Sequence, residues 1–322
     1  MRSRFAPALL TIAVLTASCG SSPEPPAAVS ITPVDAQPAG VEVATTAPPQ
    51  GDTSCDREAS LRPDGPLPAP GAMPAGSTMA AIAERGRLVV GVDQNQYLFG
   101  FRNPATGQLE GFDIDIAREI ARAIFGDPDR VQLRVVEAGQ REAVLQSGDV
   151  DIVARTFSIN CARKANVAFS TVYFYADQRI LVSKGSGIES AAQLGGKRVC
   201  AVTGTTSLAR VFALDPQPTV VGAPTWTDCL VMLQQGQIDA IGTDYVVLSG
   251  LAAQDPNVEV VGASLGTEPY GVGVKKENTD LVRFINAVLQ RLRDDGTWER
   301  LYDNRLGSLG PSPGPPAPRY ED

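Results

Sequence analysis

The feature that most constrains the fold is an internal echo. Leu145-Gln-Ser-Gly-Asp-Val-Asp151-Ile-Val recurs 88 residues later as Leu233-Gln-Gln-Gly-Gln-Ile-Asp239-Ala-Ile. Each copy reads as a helix end, a glycine turn and a short buried strand. Gly86-Arg-Leu-Val-Val-Gly-Val-Asp93 recurs more loosely as Gly196-Lys-Arg-Val-Cys-Ala-Val-Thr203. Apolar runs rich in β-branched residues alternate with helical patterns. Asp113 to Phe125 sets Ile116, Ile120 and Ile124 on one helical face and stops at Gly126 and Pro128. Such alternation predicts an α/β chain with mostly parallel sheets, and the repeat predicts two similar lobes.

Composition narrows the chemistry. The 322 residues contain no histidine, which removes Ser-His-Asp and Cys-His hydrolases and HExxH zinc sites. Neither a GxxxxGK[ST] loop nor a GxGxxG turn is present. The formal net charge of −8 argues against a nucleic-acid partner. No metal, cofactor or catalytic residue is expected.

The ends of the chain read differently from its middle. Arg2 and Arg4 precede an apolar run, Phe5 to Ala17, too short to span a bilayer. It ends in Leu15-Thr16-Ala17-Ser18-Cys19-Gly20. Residues 1–18 therefore resemble a bacterial lipoprotein signal with Cys19 as the lipidated residue, which places the protein on the extracytoplasmic face of the cell membrane. Residues 19–78 are rich in proline and poor in periodic apolar residues, and are expected to form a tether. Residues 311–322 (PSPGPPAPRYED) are expected to be a flexible tail. Four further cysteines in an exported chain suggest disulfides, of which Cys200–Cys229 and Cys55–Cys161 are the favoured pairs among three connectivities.

In open α/β sheets ligands sit beyond the carboxyl ends of the strands. There the sequence places Asp93, the segment Arg155-Thr156-Phe157-Ser158, the turn Gly204-Thr205-Thr206-Ser207, and Asp244 at the repeat position equivalent to Thr156. Arg163 follows closely and can grip a carboxylate bidentately. The Gly-Thr-Thr turn opens a helix and can offer free N–H groups to an anion, or serve as a plain N-cap. Asp244 suits an ammonium or an N-cap. Arg155 can answer a second ligand carboxylate or pair with a structural acid. Two anion-binding features and one acid together describe a free α-amino acid.

Over residues 79–303 the chain resembles the polar amino-acid-binding proteins of ABC importers, in particular the glutamine- and glutamate-binding lipoproteins. The likeness is carried by Gly86 to Asp93, Gly111-Phe-Asp-Ile-Asp115, Leu145 to Asp151, Ser158-Ile-Asn-Cys-Ala-Arg163, Phe169-Ser-Thr-Val-Tyr173, Gly204 to Ser207, Gly236-Gln-Ile-Asp-Ala240 with Asp244, Tyr270-Gly-Val-Gly-Val274 and Asp295-Gly-Thr-Trp298. The resemblance implies a two-lobed, type II periplasmic-binding-protein-like fold. Residues 79–178 plus 269–310 would form lobe 1, and 179–268 lobe 2, with hinge crossings near Gln178–Arg179 and Glu268–Pro269. It implies that Arg163 and Ser158 hold the α-carboxylate, that Thr205 and Thr206 add backbone N–H groups, that the Thr156 carbonyl and Asp244 take the ammonium, and that Asp93 lines the side-chain end. The aromatic that often stacks on the ligand falls at Gln96 here, which leaves Tyr97 or Phe99 for that role. The implied function is capture of glutamine, glutamate or aspartate by a monomer, with lobe closure and delivery to ABC permease subunits. A sensor signalling to a membrane partner, or a dehydratase-like enzyme, are the alternatives.

Overall fold

The computed structural model describes residues 37–50 and 55–322. The signal segment 1–18, Cys19 and the tether up to residue 36 lie outside the described residues.

The repeat becomes two sheets. In the first, the strands run in the order Val131–Val135, Leu88–Val92, Ile152–Val153, Gly273–Lys275, Val167–Phe169. The first three are parallel, and Gly273–Lys275 is antiparallel to both its neighbours. In the second, Thr219–Ala223, Arg198–Val202 and Ala240–Asp244 are parallel, and Phe174–Ser183 and Val258–Val261 add antiparallel strands. The two copies of the repeat supply the strands Ile152–Val153 and Ala240–Asp244, each beside the first strand of its own sheet.

Two adjacent strands join the lobes. Phe174–Asp177 pairs with Thr267–Tyr270, after which Gln178–Val182 pairs with Ala240–Asp244 in the second sheet. One strand thus belongs to both the crossing and lobe 2, and chain continuity in both directions forces the ends of the two sheets to face each other.

The helix Phe112–Phe125 shows why the periodicity was informative. Ile116, Ile120, Ile124, Ala117 and Ala121 are all fully buried, and the helix ends at Gly126 with φ 76°, a left-handed conformation glycine adopts without a Cβ clash. Each buried isoleucine contributes about 1.5–3 kcal/mol of transfer free energy. The cysteines pair as Cys55–Cys161 and Cys200–Cys229, with Cα separations of 5.9 and 5.7 Å.

The terminal segments depart from expectation. Within the stretch read as a tether, Glu42–Val43 adds an antiparallel strand to the edge of the lobe 2 sheet, and Ala59–Ser60 pairs with Arg319–Tyr320. The Ser60 hydroxyl donates to the Phe169 carbonyl at 2.7 Å, and Asn286 donates to Ser60 Oγ and Leu61 O. The supposed tail 311–322 therefore returns to the body, where Asp322 also pairs with Arg283 at 2.6 Å. Apolar composition underestimates such segments. Their proline reduces the backbone entropy that docking must overcome, and strand pairing plus the Cys55–Cys161 bond hold them without a core of their own.

Candidate functional site

The strand ends of both lobes meet in a narrow, nearly closed crevice with a free volume of only about 10 Å³. Lobe 1 lines it with Arg141, Arg155, Thr156 and Ser158, and lobe 2 with Thr205, Thr206, Ser207, Trp226, Thr243 and Asp244. Thr156 and Asp244, equivalent in the repeat, stand on opposite walls.

Asp244 ends its strand and precedes the helix Tyr245–Ala252, yet its side chain makes no capping bond. One carboxylate oxygen, Oδ2, accepts from the Tyr270 hydroxyl; the other, Oδ1, is buried and has no partner among the described residues. Burial, and then the nearby Glu268 carboxylate, push the Asp244 pKa up. A buried carboxylate with an empty oxygen is costly unless a cation arrives.

The opposite wall has the complementary imbalance. Arg141, at the start of the short helix Arg141–Gln146, is 4% exposed and forms no ion pair among the described residues. Its Nε donates to Ala138 O at 2.8 Å, and its Nη atoms donate to the carbonyls of Arg155, Thr156 and Gly204. Burial, with Arg163 and Arg155 alongside, drives its pKa well down. Arg163 lies behind the crevice. It donates to Ser158 O at 2.6 Å and to Gly204 O at 3.0 Å, and its nearest carboxylate, Glu142, is 3.8 Å away. The two guanidiniums therefore converge on one neutral oxygen, the Gly204 carbonyl of the opposite lobe. Both lie over the Phe157 ring, at 4.4 and 5.0 Å from its centroid.

Of the two roles expected for Arg155, the structure shows the pairing with an acid. Its Nη2 pairs with Asp93 at 2.7 Å, and its Nε is buried without a partner among the described residues. Asp93 itself is not a lining residue. Its Oδ1 accepts from the amides of Gln94 and Asn95, so it braces Arg155 from behind. Gln96 accepts from the Thr156 hydroxyl at 3.2 Å, and its Nε2 has no partner among the described residues. Neither aromatic expected near it reaches the site: Phe99 is fully buried in the core and Tyr97 faces outward, 39% exposed. The aromatic wall is Trp226 of lobe 2 instead.

Thr156 holds φ 40°, a left-handed conformation that a β-branched residue adopts only under restraint. Asp113 supplies it. At the start of its helix, Asp113 accepts from the Thr156 amide at 2.7 Å and from the Tyr173 hydroxyl at 2.6 Å, while burial lifts its pKa to about 7. This fixes where the Thr156 carbonyl points. Thr205 caps its own helix, accepting from Leu208 N and donating to Val202 O, so its hydroxyl is already used. Thr206 reaches across to Ser158, hydroxyl to hydroxyl, at 3.3 Å.

Sequence reasoning missed Arg141, Asp113 and Trp226. Arg141 did carry a signal: it precedes Leu145 by one helical turn, so an arginine occupies the core-facing stripe.

The sequence from 88 to 308 matches the bacterial extracellular solute-binding proteins, family 3. The chain belongs to this family. A glutamine-binding protein of an ABC transporter, GlnH of Bacillus subtilis (strain 168), is 40% identical over 226 residues, covering 70% of this chain and 83% of that protein. The glutamate-binding protein GluB of Corynebacterium efficiens is 32% identical, covering 72% and 83% of the two chains. Among solved structures, a solute receptor for L-cysteine from Neisseria gonorrhoeae superposes with a TM-score of 0.69 at 29% identity, covering 72% of this chain and 95% of that one. As a member of this family the chain is an amino-acid-binding component of an ABC transporter, with a small-molecule ligand and a permease partner. Among the described residues no helix is long and apolar enough to cross a membrane.

Proposed function

We propose that the crevice captures a polar L-amino acid bearing an oxygen at its side-chain end: glutamine, glutamate or aspartate. One observation carries the reading. Two buried walls face each other, one with a carboxylate oxygen lacking a partner among the described residues, the other with Arg141, which has no carboxylate partner among them, and Arg155, whose Nε is unpartnered. A zwitterion answers both imbalances at once.

In this reading Asp244 Oδ1 and the Thr156 carbonyl take the ammonium. The α-carboxylate takes the donors that Arg163 and Arg141 direct at Gly204 O, with the hydroxyls of Ser158 and Thr206 and the first-turn N–H groups of Thr205 and Thr206 beside it. Arg155 Nε and Gln96 Nε2 are left for the side chain. Both are donors, so the side chain must offer an acceptor oxygen, as an amide or a carboxylate does and an ammonium or thiol does not. Asp93 stands behind Arg155 and tunes this end rather than touching the ligand. Trp226 covers the crevice.

Capture proceeds by closure of the lobes about the two crossing strands, and the closed form is what the permease receives. Micromolar affinity requires about −8 kcal/mol, within reach of two charge-assisted contacts after desolvation. Cys19, following the small residues Ala17-Ser18, anchors the protein by its lipid; mass spectrometry of the membrane-bound protein and of Cys19→Ala tests this. Isothermal calorimetry of protein stripped of ligand by unfolding and refolding, against the twenty L-amino acids, tests the binding reading. Tight binding of glutamine, glutamate or aspartate is expected, and a protein that binds none of the twenty refutes it.

A further inference from the structure

Two strands join the lobes of a fold of this kind, and here a third stretch of chain also spans them. Residues 37–50 precede the shared family region 88–308. At one end Glu42 and Val43 pair antiparallel with Gly222 and Val221 on the edge of the lobe 2 sheet, and the Ala44 amide donates to Val220 O at 2.9 Å. Val41 and Ala44 are half-buried against the core. At the other end Gln50 lies on lobe 1, where its carbonyl accepts from the Ala162 amide at 3.3 Å and its side chain meets Asn160. Five residues on, Cys55 is bonded to Cys161.

The attachment points are close to the site. Asn160 caps the helix Cys161–Asn166, accepting from the Arg163 amide at 2.8 Å, so the strap docks on the turn that carries Arg163. On lobe 2 it pairs with Thr219–Ala223, which lies beside the strand Arg198–Val202 leading into Gly204-Thr205-Thr206. Between Ala44 and Gln50 the chain Thr45-Thr-Ala-Pro-Pro-Gln50 reaches at most about 20 Å, and its prolines stiffen it.

We infer that residues 41–50 form an intramolecular latch, covalently fixed to lobe 1 and reversibly paired with the lobe 2 sheet edge, which holds the lobes together and slows release of the bound amino acid. The asymmetry of its ends supports this. The lobe 1 end is held by a disulfide. The lobe 2 end is two residues of strand pairing with both side chains exposed, the Ala44–Val220 bond and two half-buried small side chains, with no covalent link, and is the end that gives way when the lobes separate. The inference about release rests on the amino-acid-binding reading; the latch itself does not.

The test uses the full chain with Val41→Asp and Ala44→Asp together, which place charges against the core at the lobe 2 end. Hydrogen exchange at the amide of residue 44, compared between wild type and variant, reports the loss of pairing. Small-angle scattering of ligand-free protein should then show a larger radius of gyration. Stopped-flow fluorescence of Trp226 should show L-glutamine or L-glutamate leaving about 5 to 30 times faster, the factor that one or two contacts of this size control. Glu42→Ala, which keeps the backbone pairing, should match the wild type. Cys55→Ser with Cys161→Ser loosens the other end, where the Gln50–Ala162 bond remains, and should move scattering the same way but less. A pairing-deficient variant whose scattering and release rate both stay within error of the wild type overturns the latch. A larger ligand-free radius with no binding of any amino acid leaves the latch standing and overturns the binding reading.

Discussion

Replacing Asp244 with asparagine should weaken ligand binding and strengthen the ligand-free fold at the same time. Asparagine keeps an oxygen to accept from the Tyr270 hydroxyl, so the packing at the crossing strand survives. What it removes is the charge on a side chain only 5% exposed, whose second oxygen has no partner among the described residues. Truncating one member of a buried charge pair costs about 2–5 kcal/mol of binding, or a loss of roughly 30- to 3000-fold in affinity at 1.4 kcal/mol per tenfold. The stability effect has the opposite sign. Burial and Glu268 raise the folded-state pKa of Asp244 above its unfolded value, so between the two the folded protein binds more protons. Its stability is therefore fully present below the unfolded pKa and is lost as pH rises through the folded one. The variant escapes that loss: its melting temperature should exceed the wild type's at pH 8, and the gap should close toward pH 4. An arriving ammonium lowers the Asp244 pKa again, so wild-type binding near pH 6 should release protons, visible as a calorimetric enthalpy that changes with the buffer's ionisation enthalpy. In the variant that dependence should shrink. An affinity within threefold of the wild type refutes the ammonium contact, and a lower melting temperature at pH 8 refutes the buried-charge argument.

The remaining predictions address other walls of the site. Asp93→Asn removes the counter-charge 2.7 Å from Arg155, so glutamate should gain on glutamine by about tenfold, the size of one charge-assisted bond; competition calorimetry reads the ratio, and an unchanged ratio sinks the tuning role. Gly204→Ala places a Cβ 2.7 Å from the Gly139 Cα in the opposite lobe, at a position with φ 75°. It should oppose closure and cut affinity at least tenfold, with ligand-free scattering showing a more open form; wild-type affinity would contradict the interlobe contact. Cys200→Ala with Cys229→Ala opens a loop spanning 29 residues and should cost about 3–4 kcal/mol of stability on the chain-entropy model, while ligand affinity, measured well below the new melting point, stays unchanged.

Much of this architecture was legible because periodic patterns answer to the core. The isoleucine stripe of the helix 112–125 and the 88-residue echo gave elements and lobe count, since burial of one face is a local property that a sequence displays. The polar site was legible only in part. Asp244, Thr156 and Ser158 could be placed by their positions after buried strands. Arg141 could not, because it reaches the crevice from a helix and not from a strand end, and Asp113 acts through the conformation of another residue. The terminal segments misled for a different reason: the pairing of Ala59–Ser60 with Arg319–Tyr320 joins residues some 260 positions apart, and two-residue strands leave no periodicity to read.

In the proposed reading the arginines tie closure to capture. Arg141 and Arg163 sit on lobe 1 but spend donors on a lobe 2 carbonyl, Gly204 O. A neutral carbonyl satisfies their geometry without matching their charge, whereas a carboxylate does both and can be gripped bidentately. A ligand carboxylate placed between them exchanges a weak interlobe bond for a stronger one to a group that lobe 2 also holds through the Thr205–Thr206 turn. At the other end, in the proposed reading, the ammonium would bind Asp244 of lobe 2 and the Thr156 carbonyl of lobe 1. Each end of the zwitterion is thus shared between lobes, and a molecule lacking either charge, such as an amino-acid amide or an N-acetylated amino acid, engages only one of these bridges and cannot stabilise the closed arrangement to the same degree.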